Sequence, residues 1–217
     1  MTPDGSSQPL AEVLRAATAA AHTAAERSTF VQRLFRGALP RDAYVAYIRS
    51  LHPVYGALEE ALRASRGNLM VASIWDPALE RTRGLEEDLV FFAGPQWSGL
   101  PVVAPAAEYV EHVRALAAEA PLHLVAHAYV RYLGDLSGGQ MIGPRVAALY
   151  DVGEAGTNFY AFREVTDIGA RKQAYRAALS ALPLSPAETD TFVGEARLGF
   201  EFARRIFEAL DQTFPPT

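Results

Sequence analysis

The chain has 217 residues, enough for one domain or two small ones, and half of them are hydrophobic. Its net charge of -5 argues against general nucleic-acid binding, which needs a basic surface, and against electrostatic docking on anionic membranes. The sequence contains no cysteine, which excludes disulfides, iron–sulfur ligation, thiolate chemistry and cysteine-rich zinc sites. Neither a secretory signal nor an apolar run of membrane-spanning length is visible, so we expect a cytoplasmic protein.

Helical periodicity dominates the chain, because apolar residues recur every three or four positions and strand-like alternation is absent. In chain order, the predicted helices cover about residues 10–27, 29–35, 40–66, 77–93, 106–118, 121–150, 168–182 and 186–212. Residues 1–8 are predicted to form a flexible N-terminal tail. Internal repeats and low-complexity segments are also absent, so the chain is predicted to be one all-helical domain over residues 1–217.

Glycine and proline set the predicted boundaries. Gly37 should end the second helix, and Pro53 should bend the third, since a proline inside a helix removes a backbone hydrogen bond. Residues 94–105 contain two glycines and three prolines, which predicts a loop. The mixture of glycine and aromatic residues over 151–165 indicates irregular structure. The sequence Ser-Pro-Ala-Glu at 185–188 is typical of a helix N-terminus.

One predicted helix contains Gly134, Gly138 and Gly139, although each glycine costs a helix interior about 1 kcal/mol relative to alanine. Helix–helix packing, the end of a helix, or a loop between two helices would each explain them. The functional explanation is a flat ligand that lies against bare backbone, where no Cβ fits. Gly134 and Gly138 are four residues apart and share one face of the helix. A phosphate-binding loop is disfavoured, because no strand precedes the glycines and no Gly-Lys-Ser/Thr sequence follows them.

The sequence Tyr-Leu-Gly-Asp-Leu-Ser-Gly-Gly-Gln at residues 132–140 resembles the distal-helix motif of the haem oxygenases. Other segments resemble the same family, in the same order along the chain: residues 21–26, 55–60, 85–89, 94–95, 125–129 and 172–176. The resemblance covers about residues 8–212. It implies a single-domain helical bundle in which haem is sandwiched between a proximal helix and a glycine-kinked distal helix.

His22 is the candidate iron ligand. Glu26 lies four residues further on the same helix face, where a carboxylate near the non-ligating nitrogen can orient the imidazole. This pair would equally form an ordinary surface contact, so the match to the family's proximal ligand carries more of the argument. His123 and His127 are also four residues apart, a spacing that two zinc ligands use, but no third ligand stands nearby. A buried, hydrogen-bonded His127 is the favoured alternative, and the resemblance makes this residue structural.

Asp135 and Arg131 are four residues apart and would by themselves form an ordinary ion pair. The resemblance gives Asp135 another role, which is to anchor the water that delivers protons during ring opening, with Tyr55 and Arg131 as its partners. It also implies that Gly134 and Gly138 crowd the reacting oxygen towards one edge of the haem. The resemblance further assigns Gly139 to haem binding.

Haem carries two carboxylates, so a cationic rim is expected around them. The resemblance places four residues at these propionates: Arg15, Tyr129, Lys172 and Arg176. From spacing alone, each cation would equally be a solvated surface charge. Arg15 stands where animal members usually carry lysine, and Ala19 occupies a position that is basic in some of them. A weaker proximal anchor is therefore expected. The retained Lys172 and Arg176 favour cleavage at the alpha meso carbon, because propionate anchoring fixes the rotation of the ring.

The resemblance implies an enzyme that converts haem, with dioxygen and external electrons, to biliverdin IXα, carbon monoxide and ferrous iron. Haem is then both substrate and cofactor. No flavin or nucleotide motif is visible, so we expect a partner such as ferredoxin or a flavin reductase to supply the electrons. We also expect a soluble, bacterial-type form without the membrane anchor of animal members. Two alternatives stay open: a haem carrier without turnover, and a non-haem protein that binds metal through His123 and His127.

Overall fold

The structure is a computed structural model that describes residues 8–216, so the predicted N-terminal tail, apart from Gln8, lies outside the described residues. This part of the chain forms ten α-helices joined by loops and short 3₁₀ turns, and it contains no strand. The helices are α1 Leu10–Glu26, α2 Thr29–Phe35, α3 Arg41–Ala64, α4 Leu69–Ile74, α5 Thr82–Ala93, α6 Ala104–Glu119, α7 Leu124–Ala128, α8 Gln140–Tyr150, α9 Ile168–Ser180 and α10 Pro186–Thr213. The predicted all-helical class is confirmed.

Local sequence explains most of the helix boundaries. Ser28 caps the start of α2, and Ser185 forms a capping box with Glu188 at the start of α10. Gly37 and Gly94 follow α2 and α5 with φ angles of +73° and +76°, which residues with a Cβ rarely adopt. The predicted helices end and begin within three residues of the observed bounds, except at the start of α5. Helix α4 has no counterpart among the predicted elements.

The predicted start of α5 at Pro77 is wrong. Residues Pro77–Leu79 form a 3₁₀ turn, and the α-helix begins at Thr82. The reason is tertiary, because the buried Glu59 carboxylate on α3 accepts hydrogen bonds from the backbone N–H groups of Arg81 at 2.5 Å and Thr82 at 3.3 Å. A side chain from another helix therefore satisfies N–H groups that have no partner inside α5.

Helix α3 lies at the centre of the fold. It packs against α5, α6 and α10, and its completely buried aliphatic side chains include Ile48, Val54, Leu58 and Leu62. The helix continues through Pro53, and the bend expected there stays a prediction. Helix α1 lies on the outside of the bundle, where α9 and α10 hold it, and most of its side chains are exposed.

The glycine-containing stretch belongs to one continuous helical segment, residues 124–150, which we call the distal helix. It begins as α7 and ends as α8, and between them the backbone forms two π-helical turns, Tyr129–Leu133 and Asp135–Gly139. Gly134 joins the two turns with right-handed φ and ψ angles of -60° and -50°. The helix neither ends at the glycines nor opens into a loop, so those two explanations are wrong. Turns of the π type occur frequently at functional sites.

Candidate active site

A cleft of about 350 Å³ lies between α1 and the distal helix, within the size range of ligand pockets. Four helices contribute to its lining: Arg15 and His22 come from α1, Gly134 and Ser137 from the distal helix, Arg176 from α9 and Phe200 from α10. The packing of α1 against α9 and α10 thus brings the candidate iron ligand and the first glycine of the motif to the same cleft.

Two neighbours limit the orientation of the His22 imidazole, which is half exposed. The Glu26 carboxylate lies 3.4 Å from Nδ1, as the helical spacing predicts. The Phe200 ring meets the imidazole edge-on, with the ring centroids 5.6 Å apart. Because Glu26 faces Nδ1, the other ring nitrogen, Nε2, is left for a ligand in the cleft. Glu26 itself is exposed and does not line the cleft.

The three glycines of the motif have different surroundings. Apart from its chain neighbours and its own helix backbone, a Cβ at Gly134 would meet no atom of residues 8–216 within 4 Å, and a Cβ at Gly138 would meet the Ile142 side chain at 3.9 Å. A Cβ at Gly139 would approach the Tyr160 ring to 3.4 Å. Packing against another element therefore accounts for Gly139 but not for Gly134, which lines the cleft. We expected Gly139 at the haem, but it lies outside the cleft lining, as does Gly138.

Tyr55, Arg131 and Asp135 form a cluster beside Gly134. The Tyr55 hydroxyl donates a hydrogen bond to the Asp135 carboxylate at 2.5 Å, and the Arg131 guanidinium lies over the Tyr55 ring, 5.7 Å from its centroid. The three residues that we expected to act together are thus in contact. The buried Nε of Arg131 has no hydrogen-bond partner in residues 8–216. Buried polar atoms are normally satisfied, so this cluster is suited to an additional polar ligand such as water.

Burial in this cluster raises the pKa values of Asp135 and Tyr55. Burial raises the pKa of Asp135 to about 6, although Arg131 and the hydrogen bond from Tyr55 act in the opposite direction. Burial also raises the pKa of Tyr55 well above its usual value, so its hydroxyl stays protonated and donates. A carboxyl group with a pKa near neutrality can take up and release a proton in the physiological range. Proton transfer is therefore the chemistry that this cluster can perform.

The cationic residues expected at the propionates are only partly brought together. Arg15, Tyr129 and Arg176 line the cleft, whereas Lys172 does not. Other residues of the lining were not predicted from the sequence, among them Ser137 and Phe200. Ser137 lies three residues after Gly134 on the same helix face, so its spacing was a usable signal. Phe200 comes from the last helix, and no local signal links it to the cleft.

His127 occupies the buried, hydrogen-bonded position that the sequence analysis favours. The Tyr109 hydroxyl donates to Nδ1 at 2.9 Å, and Nε2 donates to the Glu195 carboxylate at 3.0 Å. Burial lowers the pKa of His127, although Glu195 opposes this effect, so the imidazole is neutral at pH 7. The alternative pairing with His123 forms no three-ligand group within residues 8–216.

Comparison with known proteins decides the family. The family model described as Heme oxygenase matches residues 8–209. The chain belongs to the haem oxygenase family. Heme oxygenase 1 of Synechocystis is 36% identical over 203 residues, which cover 93% of this chain and 85% of that protein. Heme oxygenase 1 of Homo sapiens is 34% identical over 214 residues, which cover 97% of this chain and 74% of that protein.

Solved structures agree with this assignment. Synechocystis heme oxygenase-1 in complex with heme has a TM-score of 0.91 and 35% identity, covering 94% of this chain and 93% of that one. Heme oxygenase from Leptospira interrogans has a TM-score of 0.88 and 36% identity, covering 92% of this chain and 98% of that one. The predicted single-domain haem oxygenase fold is confirmed. Degradation of haem to biliverdin is the activity of this family, and the chain is an enzyme of that family.

Membership of the haem oxygenase family removes two alternatives, a phosphate-binding loop and a non-haem protein. Within residues 8–216, no helix is both long and apolar enough to cross a membrane.

Proposed function

We propose that this haem oxygenase holds its substrate between α1 and the distal helix, with His22 as the iron ligand, and opens it to biliverdin IXα. The observation that carries the proposal is the shared cleft of His22 and Gly134, where the distal wall has no Cβ at the position of Gly134. The lining fits haem, because it combines an imidazole nitrogen, apolar side chains, bare backbone and cations. Two Synechocystis relatives whose structures hold heme support the proposal.

On the proximal side, His22 binds iron through Nε2. Glu26 accepts a hydrogen bond from Nδ1, directly or through water, which orients the ring and raises its basicity. Phe200 restricts rotation of the imidazole from the other side. Together these contacts present one nitrogen to the substrate.

The cationic side chains hold the propionates and fix the rotation of the ring within the cleft. Arg15 and Arg176 pair with the carboxylates, and the Tyr129 hydroxyl donates to them. Lys172 lies four residues before Arg176 on α9, so its long side chain reaches the same carboxylates from outside the present lining. This anchoring directs cleavage to the alpha meso carbon.

On the distal side, bound haem supplies the iron at which dioxygen is activated, and its own ring is the group that is oxidised. Asp135 anchors the ordered water above the cleft, while the Tyr55 hydroxyl holds the carboxyl group in place and Arg131 lies over the Tyr55 ring. Its pKa of about 6 lets Asp135 pass protons to and from this water. Gly134 and Gly138 bring backbone rather than an acidic or basic side chain to the reacting edge.

The reaction also needs dioxygen and an external electron donor, for which we propose ferredoxin or a flavin reductase in the cytoplasm. The sequence has no flavin or nucleotide motif of its own. Carbon monoxide and ferrous iron are the other products.

The test is a stoichiometric haem complex incubated with ascorbate under air. We expect the Soret band to disappear as biliverdin absorption grows, and chromatography to identify the IXα isomer. A sample without ascorbate is the control. An unchanged Soret band would indicate a haem carrier instead, and another biliverdin isomer would contradict the proposed anchoring.

A further inference from the structure

A second cluster of ligand-type side chains lies outside the haem cleft. The Nε2 atoms of His112 and His127 both contact Oε2 of Glu195, at 2.8 Å and 3.0 Å. The three ligand atoms lie within 4.8 Å of one another and form the one such group found in residues 8–216. They come from α6, the distal helix and α10, three elements that converge at this point.

We propose that His112, His127 and Glu195 bind one divalent transition-metal ion of the zinc class. Two imidazole nitrogens and one carboxylate oxygen are a donor set that zinc uses where three protein ligands leave a fourth position for water. Bonds of about 2.0–2.1 Å would place tetrahedral zinc donors roughly 3.3 Å apart. The two contacts to Glu195 are about 0.3–0.5 Å shorter than this separation, and all three ligand atoms lie within 4.8 Å of one another, so small side-chain adjustments would bring them around one ion.

His127 is held in the orientation that metal binding requires. Its side chain is completely buried, and the Tyr109 hydroxyl lies 2.9 Å from Nδ1. The α10 backbone is also close, because a Cβ at Gly199 would come within 3.2 Å of the same nitrogen. The ring therefore cannot turn Nε2 away from Glu195. When a metal ion replaces the proton on Nε2, Nδ1 carries the imidazole proton and donates a hydrogen bond to the Tyr109 oxygen. Outer partners of this kind fix the tautomer of a metal-binding histidine.

The other two ligands leave an entry path. The side chains of His112 and Glu195 are 25% and 18% exposed, so an ion and its water can reach the cluster without unfolding. The rings of Tyr109 and Phe202 stack with centroids 4.5 Å apart, and His112 lies 5.7 Å from the Phe202 ring. These rings form an apolar wall beside the cluster, which strengthens the attraction between the ion and its ligands.

Location gives the site a structural consequence. His127 precedes Arg131 by four residues on the distal helix. The proposed metal site therefore lies about one helical turn from the cluster of Tyr55, Arg131 and Asp135. A bound ion would join α6 and α10 to this helix and stabilise the folded chain by mass action.

The test uses untagged, haem-free, full-length protein titrated with Co²⁺, whose visible absorption is strong in tetrahedral sites and weak in octahedral ones. The titration is made in a His22→Ala background, because that exposed imidazole is a competing ligand. We expect one equivalent of tetrahedral Co²⁺, displaced by Zn²⁺. H112A and E195Q should each weaken binding at least about tenfold, the loss that even an outer partner of a ligand causes. H123A, which removes another imidazole at the start of the distal helix, should bind as well as its parent.

A weak octahedral spectrum in the parent would show that the cluster is a hydrogen-bonded triad only. Equal titrations of parent, H112A and E195Q would also overturn the proposal. Circular dichroism checks that both variants are folded, which their partial exposure favours. As a second measurement, Zn²⁺ should raise the Tm of the parent and of H123A but not that of H112A.

Discussion

The two faces of the haem cleft are built in opposite ways. On the proximal face, the side chains of His22 and Glu26 are 50% and 60% exposed, and a contact of 3.4 Å joins them. On the distal face, Tyr55 is completely buried, and its hydroxyl donates a hydrogen bond to Asp135. Asp135 lies on the distal helix, which contains two π-helical turns. The proposed iron ligand can therefore adjust when haem arrives, whereas the group proposed to handle protons is already in position.

The two faces also differ in free energy. An exposed i,i+4 pair such as His22 and Glu26 contributes only a few tenths of a kcal/mol, so haem itself must supply most of the ordering. The raised pKa of Asp135 corresponds to a pH-dependent contribution of roughly 3 kcal/mol to the free energy of unfolding, since one pKa unit is about 1.4 kcal/mol. Because the folded-state pKa is raised, this stability is present at low pH and is lost as the pH rises through about 6. The distal face is thus destabilised at neutral pH, as functional sites often are.

The largest effect should come from removing the proximal nitrogen. We expect His22→Ala to abolish biliverdin formation, because no other imidazole among the described residues lines the cleft. Ascorbate-driven turnover measures this, with His123→Ala as a matched control that should retain activity. If His22→Ala turned over like the control, the ligand would have to be another residue.

The next largest effect should come from the distal carboxylate. Asp135→Ala should keep haem binding, because the proposed iron ligand is on the other face, but should lower the biliverdin yield by about 100-fold or more, as the loss of a positioned proton donor does. Peroxidase-like oxidation of an added phenol is expected to increase. Haem titration and product yield distinguish the two functions, and a normal biliverdin yield would contradict the proposed water anchor.

A matched pair of glycine substitutions sharpens the contrast between cleft and core. Gly134→Ala should stabilise the haem-free chain by about 1 kcal/mol, since alanine is the better helix former and its Cβ meets no atom within 4 Å. This gain corresponds to a Tm increase of about 2–4 °C. The same methyl enters the haem cleft, so turnover should fall. Gly139→Ala, directed at Tyr160, should retain turnover. Equal losses of turnover in both variants would show that Gly134 has no special place in the cleft.

The smallest effect concerns the hydrogen bond from Tyr55. If the Asp135 carboxylate is the active form, turnover should fall as the pH drops through about 6. The Tyr55 hydroxyl lowers the pKa of Asp135, so Tyr55→Phe should raise this pKa. The acid limb of the pH–rate profile, where turnover falls, should then move to higher pH. Initial rates across the pH range measure the shift, and Asp135→Asn, which cannot titrate, should lack the limb. An unmoved limb in Tyr55→Phe would exclude this tuning.

Contacts within one helix could be predicted from the sequence. The spacing of four residues places Glu26 beside His22, and periodicity with glycine and proline positions predicts nearly all of the helices. The resemblance at residues 132–140 indicated the family and the glycine-rich distal helix. Helical geometry is set by local backbone preferences, so it can be read without knowing the rest of the fold.

Contacts between helices were decided by the tertiary structure. Glu59 moves the start of α5 from Pro77 to Thr82 although it lies 22 residues before the first N–H that it binds. The partner of His127 is Glu195, 68 residues away, rather than the neighbouring His123 that the spacing suggested. Gly139 faces Tyr160 because of how the distal helix is rotated, which no spacing rule fixes.

The sequence by itself thus determined that this chain is helical, that it belongs with the haem oxygenases, and which side chains share a helix face. Only the tertiary structure decided which other faces meet, such as those that carry His127 and Glu195, 68 residues apart in the chain. The physical reason is that backbone periodicity fixes neighbours three and four residues apart, whereas the packing of whole helices depends on the shape of the complete core.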